Sequence, residues 1–352
     1  MRSSILRAAR TAANGVQSRA YSQSSGPRHL MTIADLTPGE FTALVRNAAS
    51  RKHAVKSGQA PRPLSTGLAG QTVAMMFSKR STRTRVSTEA AVAMLGGHPM
   101  FLGKDDIQLG VNESLRDTSI VISSMASCMV ARVGPHSDVA GLAQHSSVPV
   151  INALSDDFHP LQTIADFLTL REAFAPGVRS GLGLEGLRLA WVGDSNNVLF
   201  DLALGCVKAG VDIAVASPDG YGIPARMRAL ILEAAQGVVG APGKLIETTV
   251  PEEAVRGADC IVTDTWVSMG QESEMKKRLQ AFAGYQVTSE LARRGGAKEG
   301  WKFMHCLPRH QEEVADEVFY GSQSLVFPEA ENRLWAAIAA LESFVVNKGR
   351  LE

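Results

Sequence analysis

The chain of 352 residues has a formal net charge of +1, with 45% hydrophobic and 20% charged residues. This composition is typical of a globular protein that buries a large core and forms more than one domain. The near-zero net charge excludes a general affinity for nucleic acid, so any recognition of an anion must depend on a local cluster. No apolar run approaches the roughly 20 residues that a transmembrane helix needs, and no membrane partner is expected.

Residues 1–24 differ from the rest of the chain. They carry four arginines and many serines and alanines, and no acidic residue precedes Asp35. This pattern predicts a mitochondrial transit peptide and therefore a location in the mitochondrial matrix. The alternative is a disordered basic tail.

From residue 71 onward, short apolar runs alternate with amphipathic stretches. The first series of predicted strands is TVAMMF, CMVARV and VPVIN, and the second is LRLAWVG, VDIAVASP, KLIETT, DCIVTD and KFMHCL. Strands that alternate with helices predict parallel sheets covered on both faces. The expected fold class is α/β, with two doubly wound parallel-sheet domains linked by long helices.

The domain limits follow from the two series. We expect a first domain over residues 29–174 and a second over residues 183–322, joined by the glycine-rich stretch APGVRSGLGLEG. The amphipathic stretch HPLQTIADFLTLREAF, residues 159–174, predicts a long bridging helix. A C-terminal helix over residues 328–348 is expected to pack back on the first domain.

Positive charge and hydroxyl groups are concentrated in FSKRSTRTR, residues 77–85. A helix is predicted to begin near Thr82, and the unpaired N–H groups of a helix N-terminus favour anions. Ser81 and Thr84 add hydroxyl donors, and Arg83 adds a planar fork suited to phosphate. The alternative is an ordinary helix cap beside solvated arginines. Because no glycine-rich phosphate loop is present, a nucleoside triphosphate is not the expected ligand.

The stretch WVGDSNNV follows a predicted strand but does not indicate a dinucleotide site. Asp194 and Asn196 occupy positions where such a site needs small residues. Asn197 is instead expected at the carboxyl end of the strand, where α/β proteins bind ligands, although an asparagine cap on the next helix explains the pair equally well.

Three other stretches place polar side chains beside predicted strands or helices. HPLQ puts His159 and Gln162 three residues apart on one helix face, with a helix cap as the alternative for His159. DTWVSMG ends a strand in Asp264, and HCLP ends another in His305 and Cys306. Their common position at strand ends predicts one pocket between the two domains.

The motifs STRTR, HPLQ, DTWVSMG, HCLP and FPEAENR together resemble the aspartate/ornithine carbamoyltransferase family, from about residue 29 to the end of the chain. DTWVSMG and HCLP are similar to the ornithine branch. The resemblance implies a homotrimer that transfers a carbamoyl group from carbamoyl phosphate to the δ-amine of L-ornithine. The product is citrulline, an intermediate of arginine biosynthesis and the urea cycle. No cofactor and no metal are expected.

The resemblance also implies roles for individual residues. The residues expected to bind the phosphate are Ser81, Thr82, Arg83 and Thr84. Those expected to hold the carbamoyl group or complete the carbamoyl phosphate site are Arg132, His159, Gln162, Cys306, Leu307 and Arg333. Those expected to bind ornithine are Asn197, Asp264, Ser268 and Met269. Among them Cys306, Arg132 and His159 are the expected catalytic residues.

Two questions stay open at the level of the sequence. Cys306 either accepts a proton from the attacking amine or only positions it, because the ionisation of a thiol cannot be inferred from sequence. The acceptor could also be another amine, such as putrescine, N-acetylornithine or aspartate. A binding protein for phosphate or nucleic acid would explain residues 79–85 but would leave His159, Asp264 and Cys306 without a role.

Overall fold

The computed structural model describes residues 26–59, 64–107, 113–267 and 272–351. The predicted transit peptide and the predicted site residues Ser268 and Met269 lie outside these ranges. The strands within them are β1 Thr72–Phe77, β2 His98–Gly103, β3 Cys128–Arg132, β4 Val150–Leu154, β5 Arg188–Val192, β6 Asp212–Ala216, β7 Leu245–Thr248, β8 Cys260–Thr263 and β9 Lys302–His305.

The helices within the same ranges alternate with these strands. They are α1 Pro38–Lys56, α2 Thr82–Met94, α3 Leu115–Met125, α4 His136–His145, α5 Pro160–Phe174, α6 Asn197–Lys208, α7 Ala225–Gln236, α8 Pro251–Val255, α9 Met275–Ala281, α10 Ser289–Gly295, α11 Asp316–Phe319 and α12 Val326–Leu341. A π-helical turn, Glu342–Val346, continues α12. None of the described helices is both long enough and apolar enough to cross a membrane.

Two parallel sheets form the framework, which confirms the predicted fold class. The first has the strand order β2-β1-β3-β4 and the second the order β7-β6-β5-β8-β9. All pairings in both sheets are parallel. Strands such as β3 are buried along their whole length because helices cover both faces of each sheet. The strand order reverses at β1 and at β5, which are the points where parallel sheets open a crevice for ligands.

Strand β2 was not predicted, although the other strands of the first sheet were. Its sequence HPMFLG begins with His98 and Pro99, and it lies at the edge of the sheet with alternating exposure. An edge strand buries less apolar surface than a central one, so its sequence lacks the continuous apolar run that identified its neighbours.

Helix α12 follows the last strand of the second sheet but packs against α1, α2 and α5 of the first part of the chain. The residues on its buried side include Trp335, Ile338 and Leu341. Two polar residues in its first two turns, Glu329 and Arg333, are also buried, at 1% and 4% exposure. The helix therefore brings charged groups from late in the sequence into the region between the sheets.

Helices α5 and α6 pack closely where the two parts of the chain meet. A Cβ atom added to Gly205 of α6 would lie 2.7 Å from the ring of Phe167 and 3.1 Å from the ring of Phe41. Those two rings contact each other edge to face at 4.9 Å. Gly205 therefore sets how closely the helices approach.

Candidate active site

A cleft with a volume of about 1170 Å³ opens where the carboxyl ends of the two sheets face each other. Twelve of the fourteen site residues predicted from the sequence line it. They are Ser81, Thr82, Arg83, Thr84, Arg132, His159, Gln162, Asn197, Asp264, Cys306, Leu307 and Arg333. The structure thus brings together residues that are up to 252 positions apart in the chain.

The N-terminus of α2 lies on one wall of the cleft. Ser81 occupies the cap position, and its hydroxyl accepts a hydrogen bond from the backbone N–H of Thr84 at 3.3 Å. The cap predicted as an alternative is therefore present, and the same residue also lines the cleft. Arg83, in the first turn, donates a hydrogen bond to the backbone carbonyl of Leu307 on the opposite wall. This bond joins the helix after β1 to the loop after β9.

Three arginines are gathered on the first wall. Arg132 and Arg333 are only 7% and 4% exposed. Burial, followed by repulsion from Arg333 and Arg83, lowers the pKa of Arg132 to about 10. Burial lowers the pKa of Arg333 to about 10 as well, even though Cys306, Asp166 and Glu329 raise it. Both stay charged at neutral pH, so the cluster creates a strong positive potential in a partly dehydrated site.

His159 is at the cap position of α5, but its side chain makes no capping hydrogen bond, so the cap alternative is wrong. Its backbone N–H donates to Asp201 Oδ2 at 2.8 Å, and its ring is 3% exposed. Burial, followed by repulsion from Arg333, Arg132 and Arg83, lowers the pKa of the imidazole well below its ordinary value. The ring is therefore neutral at physiological pH and can hydrogen-bond to a ligand without adding charge.

Gln162 lies one turn further along α5 and is 1% exposed. Its Oε1 accepts a hydrogen bond from Arg333 at 2.5 Å. Its Nε2 donates to Asp166 Oδ1 at 2.8 Å and to Glu329 Oε1 at 2.9 Å. The side chain is thus held on one side by Arg333, a predicted site residue, and on the other by two acids that the sequence did not single out.

The opposite wall carries a carboxylate and a thiol side by side. Asp264 follows β8 and Cys306 follows β9, and the last residues of these strands, Thr263 and His305, are paired. The thiol of Cys306 donates to Asp264 Oδ1 at 3.0 Å, and Asn196 Nδ2 donates to Asp264 Oδ2 at 2.7 Å. Burial, and next the charge of Asp264, raise the pKa of Cys306 well above its ordinary value. Cys306 is therefore a neutral thiol.

The two asparagines after β5 have different roles. Asn196 caps α6, because its Oδ1 accepts from the backbone N–H groups of Val198 and Leu199 at 3.0 and 3.3 Å. Asn197 lines the cleft, and its Nδ2 donates to the backbone carbonyl of Ser155 beyond β4 at 2.6 Å. The cap interpretation is correct for the first asparagine, and the second bridges the two walls.

The loop after β9 has an unusual backbone. Leu307 has a φ of 62°, and its N–H donates to His305 Nδ1 at 2.9 Å. Asp264, His305 and Cys306 each bring one potential metal ligand within 4.8 Å of the others. These groups already hydrogen-bond to neighbours in the loop, because Cys306 donates to Asp264 and His305 accepts from Leu307.

Among the described residues, four buried acids in or beside the cleft were missed by sequence reasoning: Asp166, Asp201, Glu313 and Glu329, which are 2%, 0%, 1% and 1% exposed. A signal was present for two of them. Asp166 and Asp201 interrupt the apolar runs of α5 and α6, as in TIADFLTL and VLFDLALG. An acid at such a position on a buried helix usually has a specific partner.

The fold and the cleft define a two-domain α/β protein whose clustered arginines are suited to bind a small anion opposite a carboxylate–thiol pair. Comparison with known proteins is more specific. Residues 28–172 match the family model "Aspartate/ornithine carbamoyltransferase, carbamoyl-P binding domain", and residues 185–344 match "Aspartate/ornithine carbamoyltransferase, Asp/Orn binding domain". The chain belongs to the aspartate/ornithine carbamoyltransferase family.

Individual relatives are similar over nearly the whole chain. A mitochondrial ornithine carbamoyltransferase of Aspergillus terreus is 71% identical over 327 residues, 92% of this chain and 90% of the relative. The crystal structure of a mitochondrial ornithine carbamoyltransferase from Coccidioides immitis has a TM-score of 0.86 at 68% identity, covering 93% of this chain and 100% of that one. The ornithine carbamoyltransferase from Pyrococcus furiosus has a TM-score of 0.82 at 40% identity, with 92% and 98% covered.

Proposed function

We propose that this protein transfers the carbamoyl group of carbamoyl phosphate to the δ-amine of L-ornithine and releases L-citrulline and phosphate. The observation that carries the proposal is the pairing of two unlike walls in one cleft. Three arginines at the start of α2, the end of β3 and on α12 face the Asp264–Cys306 pair that follows β8 and β9. An anionic and a cationic substrate would therefore meet between them. The similarity to ornithine carbamoyltransferases supports the same reaction.

Carbamoyl phosphate fits the first wall. The N–H groups at the start of α2, the hydroxyls of Ser81, Thr82 and Thr84, and the guanidinium of Arg83 suit its phosphate. Arg132 and the neutral ring of His159 are suited to polarise the carbonyl, and Gln162 Oε1 is an acceptor for the carbamoyl NH₂ group. Arg333, bound to Gln162, completes this wall.

Ornithine fits the second wall. A free amine of this type has a pKa near 10.4, so it must lose a proton before it attacks. The arginine cluster disfavours a second cation nearby and thereby lowers the pKa of a bound δ-ammonium. Asp264 is suited to pair with the α-ammonium group, and Asn197 lines the same cleft. Ser268 and Met269 remain predicted ornithine ligands.

In the transfer step, the nitrogen lone pair forms a bond to the carbonyl carbon while the bond from that carbon to the phosphate oxygen breaks. Its electrons go to the phosphate, where Arg83 and the helix N-terminus stabilise the charge. The nitrogen then gives up a proton, which the departing phosphate can accept. Because Cys306 is a neutral thiol, we assign it a positioning contact with the amine and not the role of proton acceptor.

The identity of the amine is tested with a panel of acceptors. The purified protein is incubated with carbamoyl phosphate and ornithine, putrescine, N-acetylornithine or aspartate, and phosphate and carbamoylated product are measured. Among these four amines, we expect only ornithine to give rapid phosphate release. Asp264→Ala should raise the KM for ornithine with a smaller effect on that for carbamoyl phosphate. Faster turnover with putrescine or N-acetylornithine would reject ornithine as the substrate.

We further propose domain limits of 29–174 and 183–322, with α12 packed on the first domain, and a homotrimer in the mitochondrial matrix. Apolar side chains on α3 support an interface with other copies, because Ile120, Val121 and Met125 are 47%, 44% and 72% exposed. Light scattering should give a particle mass three times that of one chain, and Met125→Glu should lower this particle mass. The relatives' mitochondrial names support the location, and N-terminal sequencing of the mature protein tests the transit peptide.

A further inference from the structure

Glu329 lies beneath the cleft in the first turn of α12 and touches both walls. Its Oε1 accepts a hydrogen bond from Gln162 Nε2 at 2.9 Å. Its Oε2 accepts from the backbone N–H of His305 at 2.9 Å. One carboxyl group therefore joins the side chain that would hold the carbamoyl group to the residue immediately before Cys306. Since Glu329 is 1% exposed, water does not compete for these bonds.

The contacts of Gln162 leave its amide only one orientation. Its NH₂ group lies between Asp166 Oδ1 at 2.8 Å and Glu329 Oε1, and its oxygen lies at 2.5 Å from Arg333. A guanidinium only donates hydrogen bonds, and carboxylate oxygens accept them. Rotating the amide by 180° would place donor against donor and acceptor against acceptor. The acids therefore keep the amide oxygen on the side of Arg333 and the cleft.

Ionising both Asp166 and Glu329 at the same time would cost considerable free energy. Both accept from the same NH₂ group, and both are buried. Burial and mutual repulsion raise the pKa of Glu329 well above its ordinary value, and burial raises that of Asp166 to about 7. Burial and mutual repulsion thus favour the form in which the two carboxyls hold one proton between them. The ionisable groups around Glu329 are Asp166 on α5, Arg333 on α12, Cys260 on β8, and Cys306 with His305 at the end of β9.

We propose that Glu329, together with Asp166, is a positioning residue that fixes the Gln162 oxygen as the acceptor for the carbamoyl NH₂ group and ties it to the strand end bearing Cys306. The proposal rests on the proposed function, because it assumes that a carbamoyl group binds at Gln162. It assigns to α12 a second contribution besides Arg333. Glu329 acts through Gln162 and His305 and does not itself touch the substrate.

The test compares Glu329→Gln with Glu331→Gln on the same helix. Glu331 pairs with Lys56 at 2.5 Å on the outer side and serves as the matched control. A glutamine at 329 has only one acceptor oxygen, so it loses either the bond from Gln162 or the bond from His305. We expect the KM for carbamoyl phosphate to rise about tenfold or more and kcat to fall. Glu331→Gln should leave both constants within about twofold of wild type.

A double-mutant cycle separates positioning from a general loss of structure. If Glu329 acts on carbamoyl phosphate through Gln162, then adding Glu329→Gln to Gln162→Ala should raise the KM for carbamoyl phosphate by less than about twofold more. Asp166→Asn should raise the same KM in the wild-type background, and it provides the test if Glu329→Gln does not fold. Melting temperatures of all variants show which remain folded.

The outcomes are distinct. A folded Glu329→Gln enzyme with wild-type KM and kcat would overturn the inference, as would independent effects in the cycle. A lower melting temperature with unchanged KM would reduce Glu329 to a structural residue and would overturn it too. If the wild-type protein itself forms no citrulline, the proposed function fails, and that result is obtained before any variant is made.

Discussion

The four cations of residues 79–85 separate into different environments once the chain is folded. Arg83 lines the cleft and reaches the Leu307 carbonyl. Arg85 lies on the other side of the helix, where it pairs with Glu89 at 2.9 Å and its guanidinium lies 3.7 Å from the centre of the Phe101 ring. Lys79 pairs with Asp156 at 2.7 Å. Lys79 and Arg80 also line the cleft, but Arg83 reaches across it from the N-terminus of α2, so it is the cation that we expect to bind phosphate.

This difference gives a matched pair of substitutions. Arg83→Ala should raise the KM for carbamoyl phosphate by about 100-fold and lower kcat, because it removes a charge-assisted contact that strengthens as the phosphate departs. Arg85→Ala changes the same charge in the same turn and should alter both constants by about twofold or less. Steady-state kinetics at saturating ornithine measure both. Similar effects of Arg83→Ala and Arg85→Ala would mean that the positive potential of the cluster, and not a direct contact from Arg83, determines the binding of carbamoyl phosphate.

A second prediction concerns the thiol. Cys306 is neutral and donates to Asp264, and Cys306→Ser retains a donor there but on a shorter bond to the side-chain carbon. We therefore expect the KM for ornithine to rise about tenfold and kcat to fall. The pH dependence of kcat should keep the wild-type shape. Loss of its alkaline or acid limb in Cys306→Ser would restore the role of proton acceptor to the thiol.

At the scale of elements, most of the framework could be predicted because strands covered on both faces have distinctive sequences. TVAMMF and CMVARV are uniformly apolar, and both form central strands. The start of α2 was predicted from Ser81 and Thr82, since capping is a local property. The edge strand β2 and helix α1 were not predicted, because their half-exposed sequences do not distinguish them from surface loops.

The candidate site divides in the same way. Residues within short motifs, such as His159 and Asp264, could be predicted because the motifs themselves resemble a known family. Glu329 and Asp201 could not be predicted, because their roles depend on contacts with residues 167 and 42 positions away. The sequence shows that Asp201 interrupts an apolar helical run, but it does not show which donors surround either acid.

The close approach of α5 and α6 gives a prediction for stability. Gly205→Ala adds a methyl group against the buried rings of Phe167 and Phe41, which have no space to move. Alanine favours a helix more than glycine does, by about 1 kcal/mol, but the overlap costs more. We expect a net loss of about 1–2 kcal/mol in the free energy of unfolding, measured by urea denaturation. Gly237→Ala, at the end of α7, serves as the control, because its added Cβ would make only an ordinary contact of 3.5 Å with the Ala234 carbonyl oxygen.

At the scale of the whole molecule, Asp201 joins the two parts of the chain. It lies on α6, yet its Oδ1 accepts from the Thr32 hydroxyl at 2.6 Å and the Ile33 N–H at 2.9 Å, and its Oδ2 accepts from the His159 N–H. Burial raises its pKa from 3.8 to about 7, although these three bonds favour the ionised form. The carboxyl thus holds the backbone of a cleft residue from the opposite side of the junction.

The raised pKa makes the stability of the protein depend on pH. Between about pH 4 and pH 7 the folded chain keeps a proton on Asp201 that the unfolded chain releases, so this contribution to stability is complete below pH 4 and lost above about pH 7. Asp201→Asn cannot titrate. The stability of wild type relative to this variant should therefore fall by a few kcal/mol as the pH rises through this range. Urea denaturation of both proteins at pH 5, 6, 7 and 8 measures it, and a constant difference would show that Asp201 is already ionised at pH 5.

The position of α12 has a consequence for the protein during its synthesis. Residues 326–341 leave the ribosome after every described strand of both sheets, yet they place Arg333 in the cleft and Glu329 beneath it, and they cover α1, α2 and α5. A nascent chain that has already formed both sheets still lacks Arg333 and exposes the apolar side of three helices. We expect such a chain to fold in part, to bind substrate more weakly than the finished protein and to offer an apolar surface to chaperones. The lining of the cleft is complete only when the last helix has docked.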